Sequence, residues 1–280
     1  MDRRCKFTKE QKQEMVEMYL NGKSSVEIGK RFNITNTNVI GYLNRAGIKR
    51  RTNKENSRKY SVNNDYFDKI DNEEKAYWLG FLYADGYVIA DRDAFGVALS
   101  IKDINHLYKL NSCLNSTYNV KIYNQKKGYS KGNDYCRLVI YSEKIKKDLI
   151  KYGCFENKTN ILKAPPINKK LFKYFIRGYL DGDGCITKSL NKKNTFDYKI
   201  KFCGTIDLLN FIKEFIEEKN IAKINRFYTR KKGQIVKQLE LGGNNQVKKF
   251  LDLIYDNPKI YLECKYDIVK EFYEYINSRA

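Results

Sequence analysis

Histidine, proline, tryptophan and paired cysteines are scarce in this chain of 280 residues. There is one histidine, His106, with three prolines and one tryptophan, and none of the seven cysteines belongs to a Cys-x-x-Cys pair. Nucleases of the HNH or His–Cys type need several histidines. A Ser–His–Asp hydrolase would have to use His106, which lies in a lysine-rich segment without an evident partner. We therefore expect His106 to be a surface or groove residue, and we expect no structural zinc site.

Long apolar runs are also lacking, so the sequence predicts no membrane-spanning helix. The first six residues, MDRRCK, do not form the apolar core of a signal peptide, and an odd number of cysteines indicates free thiols. The chain does not end in the His–Asn pair of an intein, which favours a free-standing or intron-borne reading frame. We expect a cytoplasmic protein encoded by a bacterium or a phage, with an organelle as the alternative.

Positive charge is what the chain has in excess. It contains 54 Lys and Arg residues against 33 Asp and Glu residues, which gives a net charge of +21. A charge this large, spread along the chain, predicts a polyanionic partner. The alternative is a solvated basic surface in an organism with lysine-rich coding, because the many Lys, Asn, Ile and Tyr residues are typical of an AT-rich genome.

Two stretches share an unusual pattern: WLGFLYADG at Trp78–Gly86 and IRGYLDGDG at Ile176–Gly184. Each places two small residues four positions apart, on one face of a predicted helix. These small residues are Gly80, Ala84, Gly178 and Gly182. Glycine inside a helix costs roughly 1 kcal/mol relative to alanine. The cost recurs in both stretches, so we expect the two helices to approach each other closely along these faces.

Each stretch ends in an aspartate, Asp85 or Asp183, followed by a glycine suited to a left-handed helix cap. A carboxylate at the C-terminus of a helix faces the negative end of the helix dipole, which is unfavourable. If the two small faces pack together, the two carboxylates lie side by side and need a cation between them. Carboxylate oxygens and unpaired carbonyl oxygens at the helix ends would form a hard oxygen site suited to Mg²⁺.

The two stretches resemble the motifs of the monomeric LAGLIDADG homing endonucleases, which cut long DNA sites with a divalent metal. The resemblance identifies the eighth motif position, Asp85 and Asp183, as the catalytic, metal-binding acid. It identifies the third and seventh positions as the helix-contact residues. Trp78 replaces an aliphatic residue at position one, and Tyr83 replaces the usual acid at position six. Neither departure lies at a metal-binding position.

The same resemblance points to Lys158 and Lys265 as catalytic basic residues beside the two acids. It implies two or more divalent metal sites filled by Mg²⁺, and we expect Ca²⁺ to bind without supporting cleavage. The offsets of the two lysines from their acids differ, so each lysine could instead be an ordinary residue at the start of a helix.

Residues 1–47 are predicted to form a small helical domain. Thr8 begins a capping box with Gln11, Ser24 or Ser25 caps a second helix, and a third helix runs over 35–45. This arrangement resembles the helix-turn-helix of recombinases and transposases, which would place the third helix in the major groove. Its candidate DNA contacts are Asn36, Thr37, Asn38 and Tyr42. The alternative is a three-helix bundle that contacts protein.

Residues 48–64 lose the apolar pattern and form a basic linker that includes Arg50 and Arg51. The linker is either a flexible spacer or an arm that follows the DNA backbone or minor groove.

Two similar halves follow, which we assign to 65–166 and 167–280. Each reads as αββαββα, so the predicted fold class is α+β. The two pseudo-symmetric halves would form saddle-shaped antiparallel sheets behind the small all-α domain. The predicted strands are 87–91, 94–101, 118–126, 134–141, 185–190, 195–203, 222–230 and 234–241.

Alternation along these strands predicts a surface for DNA. In 195–203, Phe196, Tyr198, Ile200 and Phe202 share one apolar face. The opposite face carries Thr195, Asp197, Lys199 and Lys201. Further candidate contacts are Arg226, Tyr228 and Arg230 in the second half and Arg137 in the first. Such side chains can pair with base edges, although surface lysines are often merely solvated.

These features predict a monomeric, site-specific endonuclease that cuts both strands of one long, pseudo-palindromic duplex without an obligate protein partner. Two alternatives are an RNA-binding intron maturase, which uses the same fold, and a non-enzymatic DNA-binding regulator. Cleavage of duplex DNA with Mg²⁺ distinguishes the first alternative. The paired acids argue against the second, because a regulator has no use for them.

Overall fold

The computed structural model describes residues 7–51, 60–124, 132, 134–229 and 235–279. The chain divides into two compact units, Met1–Lys59 and Tyr60–Ala280. Within the described residues, no helix combines the length and the apolar character that crossing a bilayer requires.

The described residues of the first unit form the helices α1 Lys9–Leu20, α2 Ser25–Phe32 and α3 Asn36–Arg45. The predicted capping box of α1 is present, because Thr8 and Gln11 exchange side-chain-to-backbone hydrogen bonds. Ser24 rather than Ser25 caps α2, and the turn to α3 passes through Asn33 in the left-handed conformation. The three helices enclose a small core that contains Met15, Ile28, Val39 and Leu43.

The basic segment after α3 remains bound to the first unit as far as Arg51. The backbone N–H of Arg51 donates to the Tyr19 hydroxyl at 2.9 Å, and its guanidinium donates to the carbonyl oxygens of Gly22 and Lys23. At the other end of the predicted linker, the N–H of Asn63 donates to the carbonyl of Leu114 at 2.9 Å. Residues 60–64 therefore belong to the second unit.

The first half of the second unit contains a four-stranded antiparallel sheet with strand order β1-β2-β4-β3. Its strands are β1 Gly86–Ile89, β2 Ala94–Ser100, β3 Lys121–Tyr123 and β4 Tyr135–Tyr141. Its helices are α4 Glu73–Ala84, α5 Ile104–Cys113 and α6 Glu143–Lys151. The predicted strand at 118–126 is three residues long in the described part of the chain.

The second half contains a three-stranded antiparallel sheet with order β5-β6-β7. Its strands are β5 Cys185–Leu190, β6 Phe196–Gly204 and β7 Lys237–Gly242. Its helices are α7 Phe172–Asp183, α8 Ile206–Glu218, α9 Asn244–Ile254 and α10 Glu263–Asn277. The α+β fold with antiparallel sheets is confirmed, and the helices of each half pack on its sheet.

The predicted strand at 222–230 is wrong for the described residues of that segment. These residues form one isolated bridge, between Tyr228 and Gln238. The N–H of Ile224 donates to the side chain of Glu217 at 2.9 Å instead of to a neighbouring strand. This bond holds the start of the segment against α8 and away from the sheet edge. Arg230, predicted to contact DNA from this strand, lies outside the described residues.

Candidate active site

Helices α4 and α7 pack against each other through glycines, as their sequences predict. A methyl group on Gly80 would lie 2.0 Å from the carbonyl oxygen of Phe175, and one on Gly178 would lie 2.0 Å from that of Tyr77. Both distances are far shorter than a carbon–oxygen contact allows. Glycine is therefore required at both positions, because the backbone of each helix touches the other.

The same close packing brings the two motif acids to one place. A methyl group on Gly182 would lie 2.3 Å from the Ala84 methyl carbon and 3.2 Å from Oδ2 of Asp85. The carboxylate of Asp85 in the first half therefore lies against the residue that precedes Asp183 in the second. The two carboxylates also interact electrostatically, which contributes to the raised pKa of Asp85.

Both acids have raised pKa values. Burial is the main cause for Asp85, and together with the neighbouring charge of Asp183 it raises the pKa of Asp85 to about 6. The protein packed around Asp183 likewise raises the pKa of that carboxyl. Lys158 and Lys265 act in the opposite direction on both acids. Asp85 is half-buried and Asp183 is exposed, and two carboxylates side by side are the arrangement that a cation would stabilise.

The predicted left-handed caps are wrong. Gly184 follows α7 with φ −79° and ψ 164°, and Gly86 is the first residue of β1. Glycine is needed at both positions for space. A methyl group added to Gly86 would lie 2.6 Å from the carbonyl oxygen of Leu82, and one added to Gly184 would lie 2.5 Å from the carbonyl oxygen of Leu180. The chain turns directly from each helix into a strand, and that turn leaves no room for a side chain.

The structure places Lys158 and Lys265 next to the acids, at equivalent positions in the two halves. The buried ammonium group of Lys158 donates to the carbonyl oxygens of Ala84, at 3.3 Å, and Gly86. The ammonium group of Lys265 donates to the carbonyl oxygen of Gly184. The expectation of unpaired carbonyls at these ends is therefore wrong, because lysines occupy them. Burial lowers the pKa of Lys158.

The described residues contain no cluster of three or more His, Cys, Asp or Glu side chains that could hold a metal ion. The carboxylates available at the helix interface are those of Asp85 and Asp183. A metal bound there would need further oxygen ligands from water or from a bound phosphate, which is typical of Mg²⁺ sites.

Strand β6 shows the predicted alternation. Tyr198, Ile200 and Phe202 are fully buried. Asp197 and Lys199 are exposed and Lys201 is half-buried, on the opposite face. Thr195 precedes the strand, where its hydroxyl accepts a 2.7 Å hydrogen bond from Asn191.

The remaining predicted DNA contacts of the second unit occupy different environments. Arg226 is exposed, and its guanidinium lies 4.8 Å from the ring centre of the exposed Tyr228. Arg137 on β4 is half-buried, and its guanidinium donates to the hydroxyl of Tyr87 and stacks on that ring. Arg137 is thus held against the sheet, whereas the side chains of Arg226 and Tyr228 are exposed and contact each other.

In the first unit, the polar N-terminal turn of α3 is open to solvent. Asn36, Thr37 and Asn38 are all exposed there, while Tyr42 is half-buried and makes an edge-on contact with Phe7. Arg50 is also exposed. Arg51 is already engaged by carbonyl groups of its own unit, so it stabilises the end of α1.

The structure contains a buried polar network between the two halves that the sequence analysis did not predict. Asp181 is fully buried and accepts hydrogen bonds from Tyr77 at 2.7 Å, from Tyr255, and from the N–H of Leu262 at 2.8 Å. Burial raises the pKa of Asp181 to about 6, and these hydrogen bonds act against that increase. The available signal was the extra acid at position six of the second motif, where the first motif has Tyr83.

A second buried contact accompanies this network. Arg177 donates to Glu73 at 2.6 Å and to the carbonyl oxygen of Ile254 at 2.8 Å, with its side chain fully buried. Glu73 belongs to the first motif helix and Arg177 to the second. The two halves are therefore joined by an ion pair as well as by hydrogen bonds.

The expectation that His106 lies on the surface or in a groove is wrong. His106 is fully buried, 3.1 Å from the Tyr77 hydroxyl and in ring contact with Trp78 and Phe81. Because that hydroxyl donates to Asp181, Nε2 of His106 is the donor in their contact. Burial lowers the pKa of His106 to about 3. The neutral ring is a core residue of α5.

Comparison with known proteins supports the fold. Residues 72–152 match the family described as a LAGLIDADG-like domain. The meganuclease I-SmaMI bound to uncleaveable DNA has 11% sequence identity and a TM-score of 0.50, and the match covers 71% of this chain and 88% of that one. The LAGLIDADG homing endonuclease I-GzeII in complex with its DNA target has 12% identity and a TM-score of 0.50, covering 72% and 89%.

The LAGLIDADG meganuclease I-CpaMI bound to uncleaved DNA has 14% identity and a TM-score of 0.50, covering 75% of this chain and 93% of that one. No curated protein matches the chain by sequence. The chain therefore carries a LAGLIDADG-like domain, and its second unit has the two-motif fold of these endonucleases.

Proposed function

We propose that this chain is a site-specific endonuclease that hydrolyses both strands of a long, pseudo-palindromic duplex DNA and acts as a monomer. The observation that carries the proposal is the pair Asp85 and Asp183, brought together at a glycine-lined helix interface and flanked by two lysines. The fold, shared with endonucleases whose structures contain DNA, supports the choice of substrate.

The two carboxylates fit a divalent metal, and we propose Mg²⁺ at two or more sites. Burial raises the pKa of both acids, and the charge of Asp183 raises that of Asp85 further, so a cation beside them would stabilise their ionised forms. Lys158 and Lys265 direct their ammonium groups to carbonyl oxygens, which leaves the carboxylate oxygens for a hard cation. When bound, the metal would supply a polarised water and neutralise charge on the phosphate.

The residues of the chain have separate roles in this proposal. Asp85 and Asp183 would hold the metal, and each acid would serve one DNA strand. Lys158 and Lys265 keep two positive charges beside the carboxylates and stabilise the charge that develops on the phosphate oxygens. The packed α4–α7 interface fixes the spacing between the two acids, and so the spacing of the two cuts.

We assign the outer faces of the two sheets to the DNA, because the helices cover the opposite, apolar faces. Lys199 and Lys201 project from this face in the second half. We assign α3 of the first unit to a neighbouring stretch of the same duplex, with Asn36, Thr37 and Asn38 at its exposed N-terminal turn. The net charge of +21 favours such an extended contact.

Cleavage of a randomised duplex library tests the function. The wild-type chain should select and cut one long sequence with Mg²⁺, and Ca²⁺ should support binding alone. Asp85→Asn and Asp183→Asn should each abolish double-strand cleavage and leave DNA affinity within a few-fold. If both single variants cut like the wild type, the acids are not the catalytic groups. Binding to intron RNA without DNA cleavage would support a maturase, and DNA binding without any cleavage would support a regulator.

A further inference from the structure

The outer faces of the two sheets differ in chemistry, although the sheets occupy equivalent places in the two halves. On the second sheet, Lys201 lies between Cys185 and Glu240 in the strand register, and Lys199 lies between Thr187 and Gly242. This face therefore combines cationic donors with a carboxylate acceptor.

On the first sheet, the equivalent face is largely aromatic and aliphatic. Gly96 lies between Tyr87 and Val139, and Ser100 and Tyr123 both pair with Tyr135. The rings of Tyr123 and Tyr135 stack at 5.0 Å. Lys121 and Arg137 are the charged strand residues of this face among those the structure describes, and Arg137 is bound to Tyr87.

The second face carries two carboxylates: Asp197 accepts a 3.0 Å hydrogen bond from the side-chain amide of Asn191, whereas Glu240 lies beside the two lysines. Its carboxylate lies 3.8 Å from the ammonium of Lys199 and 3.6 Å from that of Lys201, and it accepts a 2.7 Å hydrogen bond from the side-chain amide of Gln238. Gln238 is buried and lies two residues before Glu240 on the same face of β7, so a fixed donor holds Glu240 in position.

A fixed carboxylate on a surface that binds DNA restricts which chemical groups of the DNA can lie opposite it. Phosphate groups are repelled by it, and so are the acceptor atoms that guanine presents in the major groove. The amino group of cytosine is a donor there and suits a carboxylate, whereas lysine suits the N7 and O6 acceptors of guanine. The two lysines and the glutamate together are complementary to the two edges of a G·C base pair.

We propose that Lys199, Lys201 and Glu240 read a G·C base pair in the half-site that contacts the second half, with guanine on the lysines and cytosine on Glu240. The first sheet, with Ala98 and Val139 on its polar-poor face, fits a half-site rich in thymine methyl groups instead. This inference rests on the proposed endonuclease function. It adds that the pseudo-palindromic target is unequal in base composition between its two halves.

The test is a cleavage profile at every base pair of the selected target, for the full-length wild type and for variants. Glu240→Ala should reduce discrimination at one G·C pair in one half-site by roughly ten-fold and leave other positions unchanged. Glu240→Gln should shift the preference at that pair from cytosine toward adenine, because an amide pairs with adenine N6 and N7. Lys201→Ala should weaken selection of guanine at the same pair.

Lys188→Ala provides the matched control. Lys188 lies on β5 of the same sheet but on the other face, where its ammonium bonds Glu271 and lies 4.0 Å from the Phe196 ring centre. Its loss removes the same charge and should leave the base profile unchanged. The inference is overturned if Glu240→Ala relaxes no position, relaxes an A·T pair, or changes all positions equally. A wild type that cuts no library member contradicts the proposed function itself, which is a separate outcome.

Discussion

The hydroxyl of Tyr77 in α4 donates a 2.7 Å hydrogen bond to the carboxylate of Asp181 in α7, a fully buried contact between the two halves of the second unit. Asp181 also accepts the N–H of Leu262, which lies three residues before Lys265. The segment that leads to Lys265 is thus fastened to the helix that carries Asp183. The inter-half contact and the local arrangement of the active site depend on the same carboxylate.

Tyr77→Phe tests the stabilising role of this contact. The change leaves the buried carboxylate of Asp181 with one donor fewer and the buried Nε2–H of His106 without this acceptor, which should lower the free energy of unfolding by about 1–3 kcal/mol. Chemical denaturation of the full chain measures the effect. Tyr108→Phe is the control, because Tyr108 is 50% exposed on the neighbouring helix α5. Equal stabilities of the two variants would contradict a stabilising role for the Tyr77–Asp181 bond.

Because the chain has one histidine, a dependence of stability on pH that arises from histidine can be assigned to His106. Burial lowers the pKa of His106 to about 3, whereas the unfolded chain should titrate near its ordinary value of about 6.5. Between these values the unfolded chain binds a proton that the folded protein does not. The contribution of His106 to stability is therefore complete above about pH 6.5, and it is lost as the pH falls toward 3, by roughly 1 kcal/mol per pH unit.

Denaturation of the wild type and of His106→Phe between pH 7 and pH 5 measures this difference. The wild type should lose more stability than the variant over that interval. NMR signals of the single imidazole should stay constant over the same pH range in the folded protein and should titrate in denaturant. A folded-state titration near 6.5 would mean that the ring is exposed.

Gly178→Ala should disrupt the helix interface. The added methyl group would lie 2.0 Å from the carbonyl oxygen of Tyr77, which is main chain of the opposing helix. We expect a loss of about 3 kcal/mol in the free energy of unfolding, together with loss of DNA cleavage. Gly242→Ala is the control in the same unit, because its methyl group meets the Lys199 side chain at an ordinary 3.6 Å. A Gly178→Ala chain as stable as this control would refute close backbone packing.

Lys158→Met should impair catalysis more than binding. The variant keeps the bulk of the side chain but removes the charge beside Asp85 and Asp183, so cleavage should fall by about 10²–10³-fold. Lys146→Met is the matched control. Lys146 also donates to carbonyl oxygens, those of Ile89, Ala90 and Arg92, but it is not among the charges that act on the two acids. Single-turnover cleavage rates and DNA affinities, measured for both variants, separate a catalytic effect from a structural one.

Deletion of residues 1–59 should shorten the DNA footprint at one end and leave the cut position unchanged. Both acids, both lysines and all the described strands belong to the second unit, while the first unit has its own core. The linker should hold the first unit near the duplex at a high effective concentration. Loss of the first unit should therefore appear mainly as faster dissociation of the protein from DNA. Footprinting and dissociation rates measure this. An unchanged footprint would make the first unit a protein-contact module, and a moved cut site would place the catalytic centre elsewhere.

Local sequence patterns were sufficient to predict the features that depend on the sequence of a single helix or strand. The alternation of β6 indicated which of its residues are buried, because side chains in a strand point to opposite faces in turn. The capping box at Thr8 marked the start of α1 for a similar reason, since its partners lie three residues apart. The small residues of the two motifs predicted the helix contact, because no local benefit compensates for glycine inside a helix.

The environments that depend on distant segments were decided by the tertiary structure. His106 lies in a lysine-rich stretch, and it is buried because α5 turns it toward Tyr77, Trp78 and Phe81 of α4. The segment at 222–229 forms one bridge to the sheet instead of a strand, and the side chain of Glu217 binds its backbone at Ile224. Neither contact follows from periodicity, which reports the faces of an element and not what packs on them.

The sequence by itself thus determined the paired motif helices, their acids and the excess of positive charge. The tertiary structure decided that Lys158 and Lys265 reach the motif ends, that Asp181 joins the halves, and that the two sheets present different surfaces. The physical reason is that propensity and capping act over a few neighbouring residues. Burial, by contrast, sets the pKa of a side chain and the partners of a carboxylate, and it depends on segments far away in the chain.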